Sequence, residues 1–237
     1  MISEPDRLSE SVNQLPQVPQ NVRELQTLLQ EKGYDPGPVD GKVGYQTTDA
    51  LLEWLNGLPS GPTPNDGMKL SRQGRELIEE FEGLFLESYQ DSAGVWTIGW
   101  GHTGLKHRDG TVYPGRRITP EEADQLLAHD MEKFEDRVKR LVAVPLTQNE
   151  FDALVSFDFN TGGLARSSLL QRLNRGDMKR SIARSEFIRW INAGGRPLRG
   201  LARRRASEAM MFTGHTNPII TDSTMTIEDY KRMAHNA

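Results

Sequence analysis

The chain has 237 residues, no cysteine and a formal net charge of −4. That length suits one or two domains, and 36% apolar residues against 26% charged ones are enough for a packed core without a membrane span. The missing cysteines exclude disulfides, thiol nucleophiles and Cys-based zinc sites together.

The charge is spread unevenly. Residues 1–70 carry a net −5, 71–162 a net −7, 163–206 a net +10 and 207–237 a net −2. Such asymmetry suggests parts with different partners. Residues 1–20 are polar and acidic, with neither a basic n-region nor an apolar h-region. They read as a flexible arm and not as a signal peptide. Val22, Leu25, Leu28 and Leu29 follow helical spacing, and Gly33 is a stop signal. Pro36, Gly37, Pro38, Asp40, Gly41 and Gly44 crowd a tightly turned loop. Ala50, Leu51, Trp54 and Leu55 form a second apolar helical face. The Pro/Gly-rich stretch NGLPSGPTPNDG places a linker at 57–70.

A second pattern begins at Ser71, where Leu77, Ile78, Phe81, Leu84 and Phe85 recur at helical spacing. Val95-Trp96-Thr97-Ile98 is the strand candidate, and Asp109-Gly110 signals a hairpin turn. The remainder reads as helix. Thr119-Pro120-Glu121-Glu122 and Thr147-Gln148-Asn149-Glu150 are capping boxes. Ser167 or Ser168 and then Gly176 bracket a short helix, and two more follow at 178–192 and 202–212. Thr226 opens a possible short helix in the tail 215–237.

Within 21–56, the residues Leu25-Gln26, Leu29, Gly33-Tyr34, Pro36-Gly37, Val39-Asp40-Gly41, Gly44, Thr47 and Ala50-Leu51 resemble the peptidoglycan-binding domain family. The resemblance implies a small helical bundle in which Asp40 and Thr47 hold the loop and cap the next helix. Tyr34 and Trp54 are each open to two readings, core residue or exposed sugar platform. Asp40 to Gly44 lacks the alternating acids of a calcium loop.

The chemistry lies further on. On a helix turning about 100° per residue, Glu82 falls at the border of the apolar face, where desolvation favours a protonated carboxyl. Asp91 follows nine residues later in a turn, and Thr97 six residues after that on the strand candidate. Two carboxyls in unlike settings are what glycoside hydrolysis needs. Glu79, Glu80 and Glu87 read instead as solvated faces. Phe81-Glu82-Gly83, these two spacings, Gly99-x-Gly-His102, Phe159-Asn160-x-Gly162 and Gly200-Leu201-x-Arg203-Arg204-Arg205 resemble phage-type lysozymes, glycoside hydrolase family twenty-four, over 71–214. The implied fold is α+β and mostly helical: the small helical module, then a lysozyme-like domain with a small antiparallel sheet, a larger helical lobe and a cleft between these lobes.

The resemblance further implies catalysis by Glu82 as general acid, with Asp91 and Thr97 holding water. The bond cut would be the β-1,4 link from N-acetylmuramic acid to N-acetylglucosamine in bacterial peptidoglycan, with inversion. Phe159 and Asn160 match cleft-lining positions, His102 matches a structural histidine, and Arg204 (or Arg203) matches the partner of the catalytic Glu. Tyr89 and Trp96 either stack on sugar or fill the small lobe. The other histidines show no metal spacing, so no metal or cofactor is expected. The arginines at 196–205 lack a nucleic-acid recognition pattern and read as a basic lobe attracting an anionic wall polymer. The expectations are thus a monomeric endolysin for host lysis, with no nucleic acid and no stable membrane insertion. It would be made in the host cytoplasm, exported through a holin-type pore and active in the periplasm or wall. Two alternatives are a lytic transglycosylase and a catalytically silent wall-binding virion protein.

Overall fold

The computed structural model describes residues 19–34, 36–55, 63–91, 94–103 and 112–237. The arm up to residue 18, linker residues 57–62 and the Asp109-Gly110 turn lie outside them. The chain divides into one unit at 1–57 and another at 58–237. No helix among the described residues is long and apolar enough to cross a membrane.

The first unit is built on α1 (Val22–Glu31) and α2 (Tyr45–Leu55). Asn21 caps α1 by accepting from the Glu24 N–H. Leu29, Tyr34 and Ala50 form the core, with Leu25, Leu51 and Trp54 packed against them. Gln26, 1% exposed, organises the loop between the helices. Its amide nitrogen lies 3.0 Å from both the Lys42 carbonyl and Thr47 Oγ1, and its oxygen accepts from Gly41 N–H at 2.9 Å. Asp40 Oδ1 accepts from Lys42 N–H at 2.8 Å. Thr47 does not cap α2. It sits within that helix and donates to the Pro36 carbonyl at 2.9 Å, closing the loop from inside.

The second unit opens with α3 (Arg72–Glu82), capped by the Ser71 hydroxyl. The apolar period suggests that this helix runs on to Phe85, but it stops at Glu82. Gly83 takes φ +76°, a conformation open to glycine, and turns the chain into a strand. Leu84 and Phe85 therefore leave the buried face and are 38% and 46% exposed. Strands β1 (Phe85–Gln90), β2 (Trp96–Gly99) and β3 (His102–Thr103) form an antiparallel sheet in that order. The register sets Tyr89 opposite Thr97 and Ile98 opposite His102. Ile98, Ile118 and Ala123 make a small core beneath it.

Both capping boxes form, on α4 (Pro120–Leu141) and α5 (Gln148–Thr161). Helix α5 is buried from Glu150 to Asp158, as the centre of a bundle must be. The lobe continues with α6 (Ser168–Asn174), α7 (Lys179–Ser185), α8 (Arg199–Phe212) and α9 (Ile227–Asn236), of which α8 packs on α5. The stretch 178–192 is not one helix: α7 ends at Ser185, and a 3-10 turn spans Phe187–Trp190. The tail is part of this unit. Tyr230 and Ala234 of α9 are buried in the main core, and Tyr230 Oη donates to the Asp222 carbonyl at 2.5 Å.

The linker reading of 57–70 ends too late. Asn65 is fully buried, with its amide 3.1 Å and 3.0 Å from the Val142 and Val144 carbonyls. Leu70 N–H donates to Glu135 Oε1 at 2.8 Å. Residues 63–70 thus belong to the second unit, and Pro/Gly content there marks turns of a packed segment.

Candidate active site

Glu82 is the last residue of α3, so its side chain projects from a helix end where the backbone is already turning away. It is 24% exposed, and Oε1 meets Arg204 Nη1 at 2.5 Å. The other oxygen, Oε2, faces the turn between β2 and β3: a Cβ on Gly101 would lie 3.9 Å from it. Gly101 adopts φ +94°, which a side chain would strain.

Asp91 follows β1 in a tight turn. Its N–H donates to the Val95 carbonyl at 2.9 Å, and its Oδ1 accepts from Val95 N–H at 2.8 Å. Thr97, 3% exposed, donates to the same Val95 carbonyl at 3.1 Å. Tyr89 ties these groups together. Burial pushes its phenol above the usual value, and the negative charges of Asp91 and then Glu82 add to that shift. Both carboxylates are therefore within electrostatic reach of one hydroxyl, on the strand that pairs with Thr97.

Behind Glu82 the helical lobe supplies the positive charge. Arg204 is 3% exposed, and its guanidinium lies 5.5 Å from the Phe81 ring centroid and 5.8 Å from that of Phe159. Phe159 is half-buried and meets Phe134 edge-on at 5.3 Å. Asn160 is exposed, and its Oδ1 accepts from Arg205 Nη2 at 3.0 Å. Arg203, the alternative partner, pairs with Glu80 at 2.7 Å. Glu79 is held above the usual carboxylate range by burial and by the charge of Asp124, whereas Glu87 pairs with Arg117 at the exposed sheet edge. His102 is 2% exposed, and its Nδ1 lies 3.0 Å from Asp130 Oδ2, the setting of a histidine that fixes the strand.

Not every expected site residue joins this group. Tyr34 is 5% exposed and lies in the core of the first unit, so it offers no platform to a sugar. Trp54 is half-buried against the same core, with Lys32 Nζ 5.7 Å from its ring centroid. The basic lobe is also less free than its charge suggests. Arg203, Arg204, Arg205, Arg172 and Lys179 are all in ion pairs, with Glu80, Glu82, Glu208, Glu186 and Glu150 among their partners. Residues that sequence reasoning missed are Asp130 and Glu208, and Ser156 matched the family pattern Leu154-Val155-Ser156-Phe157 without a role. Only Glu208 carried a local signal, standing four places after Arg204 and three after Arg205 on one helix.

The fold that carries these groups is that of lysozyme-like proteins. The family model described as phage lysozyme matches residues 79–208, more than half of the chain, and the chain belongs to that family. A second model, the putative peptidoglycan binding domain, matches 19–54. The endolysin of Bacillus phage PZA is 39% identical over 161 residues, 66% of this chain and 60% of the relative. The chain thus spans only that part of the PZA protein's length. The endolysin of Salmonella phage P22 is 39% identical over 148 residues, 62% of this chain and 99% of the relative. Among solved structures, an endolysin from Escherichia coli O157:H7 phage FAHEc1 aligns with a TM-score of 0.57 at 39% identity, over 64% of this chain and 98% of that one.

Proposed function

We propose that this chain is a modular endolysin that hydrolyses the β-1,4 bond between N-acetylmuramic acid and N-acetylglucosamine in bacterial peptidoglycan. The first unit would hold the wall and the second would cut it. The observation that carries this reading is the split environment of Glu82: one oxygen is held by Arg204 and the other faces the Gly101 turn. A proton on Oε2 can pass to the leaving glycosidic oxygen while Oε1 keeps the ion pair. As the bond to the anomeric carbon breaks, its electron pair stays with that oxygen. The sugar develops oxocarbenium character, and a water held by Asp91 and Thr97 adds to the anomeric carbon and gives its proton to Asp91. Attack from the opposite face inverts the anomer, a geometry that goes with carboxyls roughly 6.5–9.5 Å apart.

Arg204 favours the ionised form of Glu82, whereas a general acid must arrive protonated. Substrate resolves this conflict by excluding water from the carboxyl and so raising the cost of its charge. Glu82→Gln should reduce clearing of purified peptidoglycan by about 10²-fold or more while the fold is retained by circular dichroism. Retained clearing would overturn the assignment. The anomer first released, read by proton NMR, tests inversion. Anhydro ends in the muropeptides would mark a transglycosylase instead.

A further inference from the structure

A fully buried ion pair lies behind Glu82 and takes no part in the proposed hydrolysis. Glu208 and Arg205 are both fully buried on α8. Glu208 Oε1 accepts from Ser156 Oγ at 2.8 Å, Arg204 Nε at 3.2 Å and Arg205 Nη2 at 2.8 Å. Its Oε2 lies 2.7 Å from Arg205 Nε. Arg204 Nη2 is 3.4 Å from both the carbonyl and the hydroxyl of Ser156. The Arg204 fork is thus fixed at two places by Glu208 and Ser156, and its remaining arm, Nη1, is the one that meets Glu82.

We propose that Glu208 is a positioning residue of this site: it holds the Arg204 fork in line with Glu82 and cancels the charge of Arg205, so that Glu82 experiences one guanidinium and not two. The proposal rests on the reading of Glu82 as the general acid. Two arginines in sequence, both buried, would otherwise set a double positive charge beside a carboxyl that must hold a proton. Burial already pushes Arg205 down to about 10, and Glu208 is the main group opposing that fall. Arg205 Nη1 has no hydrogen-bond partner among the described residues, and Glu208 is the carboxylate that pairs with this guanidinium.

The groups bearing on Glu82 come from several elements. They are Arg204 and Arg205 on α8 and Tyr89 on β1, which Asp91 in the turn after it also reaches. The surrounding charges are already matched: Arg203 with Glu80 and Arg137 with Asp158 at 3.4 Å, while Asp130 lies 3.0 Å from His102 Nδ1. None of these is free to replace Glu208.

The test is the pH profile of kcat/KM on purified peptidoglycan, whose alkaline limb follows loss of the Glu82 proton. Glu208→Gln leaves a net positive charge and should move that limb about one pH unit toward acid. Arg205→Met leaves Glu208 in excess and should move it the opposite way. The double variant removes one charge of each sign and should return the limb close to its original position, whatever it does to the overall rate. A merely structural Glu208 would lower the rate equally at all pH values, and unmoved limbs would overturn the proposal. Should Glu208→Gln fail to fold, the alkaline displacement in Arg205→Met decides alone. Glu82→Gln run in parallel separates the two ideas. Lysis retained by that variant overturns the acid assignment itself, whereas an inactive Glu82→Gln with unmoved limbs elsewhere overturns only the role of Glu208.

Discussion

Glu186 shows how one side chain in this fold can join several segments. It is 4% exposed and accepts from Ser168 Oγ at 2.6 Å and Arg172 Nη1 at 2.9 Å. Arg172 in turn reaches Asp177 at 2.7 Å and the hydroxyls of Ser181 and Ser185. Burial raises the Glu186 carboxyl, but the bonds from Ser168 and Arg172 outweigh it, and the group titrates below its ordinary value of 4.5. A lowered folded value means that its contribution is present above 4.5 and is lost as pH falls through the folded value. Glu186→Gln should therefore cost about 1–3 kcal/mol at neutral pH. In urea unfolding at a pH below the folded value the gap to the parent should nearly close. An equal gap at both pH values would show that the carboxylate charge is not what matters. The proposed site residues Glu82, Asp91 and Thr97 keep a fixed sequence spacing, so they could be proposed from the sequence with the family resemblance. The roles of Ser156 and Asp130 could not, because they depend on helices that meet far apart along the chain, and Glu208 left only its spacing from Arg204 and Arg205.

At the scale of elements, the seat of α3 decides where Glu82 stands. The Ser71 hydroxyl caps α3 by accepting from Gly74 N–H at 3.1 Å and also donates to Asp152 Oδ2 of α5 in a short hydrogen bond. Gly74 lets the helices approach this closely. A Cβ there would fall 2.6 Å from Asp152 Cγ and 2.7 Å from Leu70 Cδ1. Alanine in an open helix site gains about 1 kcal/mol over glycine. Here overpacking should win, and Gly74→Ala should lose about 1–3 kcal/mol. The shift of α3 should also slow wall clearing. A raised melting temperature in calorimetry would refute the tight seat. Capped helices were legible because Thr119, Thr147 and Thr226 each precede an acid at the third position, and all three boxes form. The end of α3 was not legible, since Leu84 and Phe85 keep the apolar period after Gly83 has broken the helix. The two-residue strands β4 (Asn192–Ala193) and β5 (Arg196–Pro197) are too short to carry any period.

For the whole molecule, the uneven charge is in part a sign of how distant segments pair. The acidic stretch 71–162 supplies Glu80, Glu82 and Glu150 to Arg203, Arg204 and Lys179 of the basic stretch, so three of the +10 are paired with it inside the fold. The same distinction between composition and packing governs where the chain can be cut. Removal of residues 1–57 takes away the first unit, which matches the peptidoglycan-binding family, and leaves every described contact of the second. That truncation should keep its melting temperature and its rate on soluble glycan fragments. On intact wall at low enzyme concentration it should lose about tenfold or more, because the tether no longer raises the local concentration. A cut at residue 70, where the Pro/Gly stretch ends, should behave differently. It removes Asn65, whose side chain binds the Val142 and Val144 carbonyls and accepts from Leu146 N–H at 2.9 Å. It also removes Met68 and Leu70 from the edge of the main core. Buried hydrogen bonds left without partners cost about 1–3 kcal/mol each, so the shorter fragment should unfold well below the longer one in thermal melts. Equal melting temperatures for the two fragments would show that residues 63–70 act as a linker after all.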